Sequence, residues 1–546
     1  MSAFRILLAL GAAFLAGAPA ATQPVSQPKL KPKLVVVISV DQLSADLFAE
    51  YRQHLTGGLK RMSDGVVFPS GYQSHAATET CPGHSTILTG ARPSRTGIIA
   101  NNWFNLGLTR EDKQVYCSED PRIPGSSSSN YTVSTYHLKV PALGDLMKRA
   151  DPATRVAAVA GKDRAAVMMG GYRPDHRYWW SGKAFTGNVG AAPAASLPAT
   201  NRAVDTALAR PRQPLDLPPV CQARSRSVPV AGGTAVGAGR FAREAGDSRA
   251  FRASPELDGA TLAFAGALRS ELRLGERQST DLLIVGASAT DYVGHTFGTQ
   301  GVEMCLQLLS LDRDLGDFFV LLDRTGIDYL VTLTSDHGGL DLPERDGQHA
   351  APDALRVDPA LAASAMGKAL GARLGLTGPV LYGDGAFGDM YVDRRLSASQ
   401  RARVLAEALR AYRMHPQVAA AFSAAELSQA PSPVGPPDEW TLIDRARASF
   451  DPERSGDLVV MLKPRVTPIA DPSRGYVATH GSPWDYDRRV PILFWRRGLL
   501  PFEQPRAVET ADIMPTLTGI VGVAIPPGSI DGRCLDLIEG PATSCR

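Results

Sequence analysis

Asp41, Asp291, His295, Asp336, His337 and His480 are three carboxylates and three imidazoles scattered along the chain in a recurring setting. Five of the six directly follow an apolar run or stand in the loop just beyond one. Asp291 and His295 are four residues apart and can share one ion; Asp336 and His337 are adjacent and precede Gly338-Gly339, a tight loop offering an oxygen and a nitrogen donor. Oxygen and nitrogen donors without thiolate suit zinc in an open catalytic site. Six protein donors exceed what one tetrahedral ion takes and fit two ions with room for a substrate. Two such ions can hold the attacking and departing oxygens of an in-line phosphoryl displacement. Singly, each residue also reads as a buried core histidine or a helix-capping aspartate; the repetition of the setting is what favours metal.

The stretch Thr78-Glu79-Thr80-Cys81-Pro82-Gly83-His84-Ser85-Thr86 reads as a loop entering a helix, with Ser85 or Thr86 expected to serve the first exposed N–H groups. Oriented N–H donors and the positive end of the helix dipole suit an anion there. Thr80 is a poor nucleophile by itself and requires a base or a metal. Cys81 is a second candidate nucleophile, but no histidine pattern around it supports that role. Asn101 follows an apolar run and its amide can donate to an anion, though turn-forming asparagine is the commoner meaning. Lys162 and Arg164 stand just past the apolar run Val156–Ala160. With i, i+2 spacing they point the same way if the chain stays extended, and can grip one phosphate or sulfate.

The elements that position these residues are short, nearly continuous apolar runs. Leu34–Val40, Val156–Ala160, Leu282–Val285 and Tyr329–Thr334 read as strands buried on both faces, as in a parallel sheet. In open α/β sheets the ligand crevice lies beyond the carboxyl ends of the strands, where these donors fall. Residues 302–323 carry the periodicity of a strong amphipathic helix. Further apolar strands are expected at 457–462 and 489–495. Strands alternating with helices predict an α/β fold: a three-layer α/β/α sandwich around a mainly parallel sheet. Residues 172–270 lose strong periodicity and are expected to form a cap or crown insertion.

The chain has 546 residues and a net charge of +3, too small to argue for a nucleic acid or an anionic membrane surface. Arg5, the apolar run 6–17 and Ala18-Pro19-Ala20 have the form of a secretory signal peptide over residues 1–20. Residues 21–33 read as a flexible lead-in, and 34–546 as one catalytic domain. No later stretch is long and apolar enough to span a bilayer, so an exported protein, periplasmic or secreted and without a membrane anchor after cleavage, is expected. The six cysteines, Cys81, Cys117, Cys221, Cys305, Cys534 and Cys545, permit disulfides in that setting. Cys534 with Cys545 can staple the C-terminus; Cys117 with Cys221 is a further pairing. A monomer is favoured.

The chain resembles the alkaline phosphatase superfamily, which also holds nucleotide pyrophosphatases/phosphodiesterases and sulfatases. The matching pieces run from the Val40-Asp41 strand end through Thr80–His84, Asp291-x3-His295, Ser335–Gly338 and His480-Gly481 to Asp512–Leu517 and Ile530–Arg533. Cys81-Pro82 is out of register for a sulfatase motif and no arginine follows where one is needed. The best match is the secreted, threonine-nucleophile alkaline phosphatases. That resemblance implies two zinc ions: one held by Asp291, His295 and His480, the other by Asp41, Asp336, His337 and the Thr80 oxygen. It implies Thr80 as nucleophile, with Asn101, Lys162 and Arg164 binding the phosphate of small phosphomonoesters and no nucleic-acid partner. A further structural calcium ion is compatible with the acidic loops. The rival readings are a phosphodiesterase/nucleotide pyrophosphatase on the same fold and an exported metal-binding protein without turnover.

Overall fold

The computed structural model describes residues 31–189, 192–230, 232–347, 351–538 and 543–545. The segment read as a signal peptide and most of the lead-in lie outside the described residues.

The central sheet contains β1 (Leu34–Val40), β2 (Val66–Tyr72), β3 (Val156–Ala160), β4 (His176–Trp180), β5 (Phe185–Val189), β6 (Asp281–Ala287), β7 (Tyr329–Thr334), β8 (Arg489–Arg496), β9 (Phe502–Glu503) and β10 (Val508–Glu509). Across the sheet the order is β9-β2-β8-β7-β1-β6-β3-β4-β5, with β10 on β2. The run β7-β1-β6-β3-β4 is parallel throughout; β8 and β5 pair antiparallel on either side of it. All of β1 is buried, and its alternation feeds two cores. Leu34, Val36, Ile38 and Val40 enter one, and Val35 and Val37 enter the other. A strand apolar on both faces must be covered on both faces.

Helices supply the covers: α1 (Thr80–Ile87), α2 (Leu143–Ala150), α3 (Asp163–Gly170), α4 (Pro255–Glu271), α5 (Ala289–Phe297), α6 (Val302–Asp323) and α7 (Ile513–Val521). Leu257, Phe264 and Leu268 of α4 pack with Leu308, Leu311, Leu315 and Phe318 of α6 in the first core. Ile87 of α1, Leu143 and Leu146 of α2, Met169 of α3 and Leu517 of α7 fill the second. The architecture is therefore the expected three-layer sandwich.

Residues 172–270 are not wholly separate from it. β4 and β5 extend the edge of the central sheet and α4 forms part of one helical layer. The intervening stretch carries a helix at Ser196–Leu208 and a small hairpin, Val228–Val230 with Thr234–Val236. The strand expected at 457–462 forms as Leu458–Leu462, but in a separate antiparallel sheet with Leu381–Tyr382, Gly388–Val392 and Val418–Ser423. A five-residue apolar run specifies burial and not partner, and here a local core with Val404, Ala408 and Tyr412 claims it.

Three disulfides join Cys81 to Cys117, Cys221 to Cys305 and Cys534 to Cys545. The C-terminal staple is as expected; the Cys117–Cys221 pairing is not formed. Cys117 is held beside α1, its N–H donating to the Asn101 carbonyl, while Cys221 reaches α6. Cys81 has no free thiol, which removes it as a nucleophile.

Candidate metal and phosphate site

Four neighbouring parallel strands end at one place. Asp41 follows β1, Lys162 follows β3, Asp291 lies in the first turn of α5 just beyond β6, and Asp336 and His337 follow β7. Asp41 is not a helix cap; the next helix begins at Ala45 and is capped by the Ser44 hydroxyl. Gln42, immediately after Asp41, has φ 67°, an unusual conformation for a side chain of that size. Its backbone N–H donates to Asp336 Oδ1 at 3.2 Å, so the strained turn joins two of the candidate ligands.

α1 crosses this strand end at close range. A Cβ on Gly83 would stand 2.0 Å from the Asp336 carbonyl oxygen, so glycine is required there. The helix starts at Thr80, earlier than expected. Ser85 and Thr86 are therefore interior, and their hydroxyls donate back to the Pro82 and Gly83 carbonyls instead of capping.

The three histidines share one arrangement. Nδ1 of His295, His337 and His480 lies 2.9, 2.8 and 2.8 Å from the carbonyls of Ala478, Gly338 and Thr78 respectively. Each Nδ1–H donating to a carbonyl leaves Nε2 with its lone pair, which is how protein metal ligands are oriented. Nε2 of His295 and of His480 each lie 3.3 Å from Asp291 Oδ1, and His337 Nε2 lies 3.3 Å from Asp336 Oδ2 and 3.5 Å from Asp41 Oδ1. Asp41, Asp336 and His337 form one set of converging donors; Asp291, His337 and His480 form another. The His337 and His480 rings stack with centroids 3.6 Å apart, which places the two sets side by side. His295 reaches the second set through Asp291.

Asp41 Oδ1, Asp291 Oδ1, Asp336 Oδ2 and His337 Nε2 are buried without a hydrogen-bond partner. Orphaned lone pairs of this kind, aimed at one another, are costly unless a cation accepts them. The donor set thus fits divalent cations. Burial, then the nearby Asp336 and Asp291 charges, hold the Asp41 carboxyl well above the usual range, against the opposing pull of Lys162. Burial pushes His337 down to about 3, so its ring is neutral and free to ligate at working pH.

Thr80 stands at the N-terminus of α1, within reach of two cationic side chains. Its Oγ1 lies 3.3 Å from Lys162 Nζ and 3.5 Å from Arg164 Nη2. The chain does not stay extended through that pair: α3 begins at Asp163, with Lys162 at its N-cap and Arg164 in its first turn. Both nevertheless arrive at Thr80. Arg164 is steadied by the Tyr116 hydroxyl, which donates to Asp163. Asn101 Oδ1 accepts from the Cys81 N–H at 2.8 Å, and its own N–H donates to Glu79 Oε2 at 2.8 Å. With Oδ1 so occupied, the Asn101 amide nitrogen is the group left to donate to an anion.

Sequence reasoning missed His84 and Glu79. His84 Nδ1 lies 2.9 Å from the Thr80 carbonyl and 3.1 Å from Asp336 Oδ2, and its position four residues after Thr80 on a helix was the available signal. Glu79 orients Asn101 and had no signal of its own.

Fold and site together are those of a hydrolase of the α/β class carrying two candidate metal-binding groups. The family model for type I phosphodiesterase / nucleotide pyrophosphatase matches residues 35–483, and the chain belongs to that family. It is 57% identical over 519 residues to alkaline phosphatase PhoK of Sphingomonas sp, covering 94% of this chain and 92% of the relative. It is 46% identical over 531 residues to alkaline phosphatase PhoD of Zymomonas mobilis, covering 96% and 92%. The crystal structure of alkaline phosphatase PafA superposes with a TM-score of 0.81 at 25% identity, covering 94% of this chain and 99% of that one.

Proposed function

We propose that the protein is a zinc-dependent alkaline phosphatase that hydrolyses small phosphate monoesters through a phosphothreonine intermediate. The observation that carries this reading is the convergence of Lys162 Nζ and Arg164 Nη2 on Thr80 Oγ1. A monoester dianion has three free equatorial oxygens to be neutralised, whereas a diester has one of them alkylated and would meet the cationic pair with bulk. The names of the relatives above point the same way.

Asp291, His295 and His480 would hold one zinc ion and Asp41, Asp336, His337 and Thr80 the other, and when bound these ions would supply the Lewis acidity that a threonine hydroxyl lacks. Thr80 Oγ1 attacks phosphorus, the P–O bond to the alcohol breaks, and the alcohol leaves. Water then attacks phosphothreonine in line, and inorganic phosphate departs with Thr80 restored. Asn101, Lys162 and Arg164 hold the equatorial oxygens through both steps, where preorganised donors stabilise the developing charge. The basic–apolar–small pattern of residues 1–20 and the three disulfides support export to an oxidising compartment. Residues 34–546 act as one catalytic unit.

The test is kcat/KM for p-nitrophenyl phosphate against bis-p-nitrophenyl phosphate at alkaline pH with zinc. A strong monoester preference is expected. A diester preference, which the family description makes the specific rival, would overturn the role given to Lys162 and Arg164.

A further inference from the structure

The cavity that reaches Thr80 does not end there. It has a volume of about 240 Å³ and runs from Thr80, Asn101, Arg164 and His480 into a chamber between α1 and the separate four-stranded sheet. Among the described residues Arg164 is the one lysine or arginine that lines it, and it stands at the Thr80 end. Three carboxylates also line it: Glu79, beside Asn101, and Asp384 and Asp389 on the side of the four-stranded sheet. Their partners are neutral. Glu79 accepts from the Asn101 N–H, Asp384 from the Gln114 and Asn102 side-chain amides at 2.6 and 3.2 Å, and Asp389 from the Gly456 N–H at 2.6 Å. Among the described residues, none of the three has a lysine or arginine at ion-pairing distance.

The walls mix aliphatic and aromatic side chains. Phe387 and the stem of Glu79 flank Gly481, next to His480: a Cβ there would be 3.0 Å from the Phe387 ring and 3.6 Å from Glu79 Cγ. Trp103 and Tyr391 continue the lining. The cavity therefore joins the cationic Arg164 at its Thr80 end to a wall that carries Asp384, Asp389 and the Phe387 and Tyr391 rings. Burial pushes Asp389 up to about 6, so it is ionised at alkaline pH. A quaternary ammonium gains from both an aromatic face and an uncompensated carboxylate. A second phosphate in the same place meets only repulsion.

We infer that this chamber is a leaving-group subsite for phosphate monoesters whose alcohol carries an organic cation, a quaternary ammonium or a protonated amine. The inference rests on the phosphatase reading above and names the substrate class within it. The subsite selects by charge, and it disfavours leaving groups that bear further phosphates.

The experiment compares kcat/KM for phosphocholine with that for 3,3-dimethylbutyl phosphate, its uncharged carbon isostere, in the zinc-loaded enzyme at alkaline pH. The expected ratio is about ten in favour of phosphocholine. In the double variant Asp384→Asn/Asp389→Asn the ratio falls toward one. A wild-type ratio of one or below, or a ratio the double variant leaves unaltered, overturns the subsite. If p-nitrophenyl phosphate is turned over while neither choline-shaped ester is, the subsite falls and the phosphatase reading stands. If no monoester is turned over, both fall. Should the double variant fail to fold, inhibition of p-nitrophenyl phosphate turnover by tetramethylammonium decides: competitive inhibition supports the subsite and none overturns it.

Discussion

Lys162 and Asp291 form a buried ion pair, with Nζ 2.5 Å from Oδ2. The same ammonium lies 2.8 Å from Asp41 Oδ2, so one lysine spans a carboxylate from each candidate metal set. Burial alone would lower its pKa, but Asp291 and Asp41 together hold it above the ordinary lysine value. Without divalent cations, Lys162 is the counter-charge that makes two buried carboxylates tolerable. Cations held by Asp41 and Asp291 would compete for the same carboxylates and would free the ammonium for a phosphate.

Lys162→Ala should therefore be far more damaging to the metal-free protein than to the zinc-loaded one. Removing one partner of a buried charge pair costs about 3–5 kcal/mol. Thermal unfolding of wild type and variant, each with chelator and with zinc, checks this. Equal losses in both conditions would show that the ion pair does not stand in for metal.

Thr80→Ala should lower turnover of p-nitrophenyl phosphate by at least about a thousand-fold, since no other hydroxyl or thiol occupies its place. Zinc content by elemental analysis should stay near wild type, because six of the seven proposed ligands are untouched. Thr80→Ser should retain measurable turnover. A Thr80→Ala protein that keeps wild-type rates would remove the phosphothreonine from the mechanism.

Much of this site was legible because the donors obey a topological rule. Asp41, Asp336 and His337 sit at the ends of strands whose unbroken apolar runs announce a parallel sheet, and Asp291 with His295 shows helical spacing. Lys162 and Arg164 come together at Thr80 although the local geometry is not the extended one, because α3 begins between them. What stayed hidden depends on long-range packing. Nothing near Cys117 distinguishes Cys81 from Cys221 as its partner. Nothing in Asp384 or Phe387 shows that a second sheet carries them to the mouth of the Thr80 cavity.

Gly83→Ala should abolish activity before it abolishes folding of the remaining core. The new methyl would lie 2.0 Å from the Asp336 carbonyl oxygen, and that atom is backbone and cannot swing away. Either α1 or the Asp336–His337 loop must shift, and both carry proposed reacting or ligating groups. The expected outcome is a loss of zinc affinity together with a fall in kcat of about a hundred-fold or more. A variant with wild-type zinc affinity and kcat would contradict the close approach.

Asp258 offers a test of the scaffold that leaves the site alone. It is buried under α5, its Oδ1 accepting from the Ala289 N–H at 2.9 Å and its Oδ2 from Gln307 Nε2 at 2.8 Å. Burial pushes its pKa up to about 7, with the Asp314 charge adding to the rise and the Ala289 and Gln307 donors opposing it. Between about pH 4 and pH 7 the folded protein keeps this proton while the unfolded chain releases it. Its contribution to stability is therefore full below the ordinary aspartate range, is lost as pH rises through that window, and is flat above pH 7. Asp258→Asn keeps the acceptor for Ala289. Its amide can donate to Gln307 Oε1, now buried without a partner, once the Gln307 amide turns over. The variant should match wild type near pH 4, exceed it by a few kcal/mol at pH 8, and remove this part of the slope between. Urea denaturation of both proteins across pH 4 to 8 reads the difference directly, and the other buried carboxylates cancel because both proteins share them. Parallel curves would mean that Asp258 is ionised in the folded protein throughout, and that its two donors outweigh its burial.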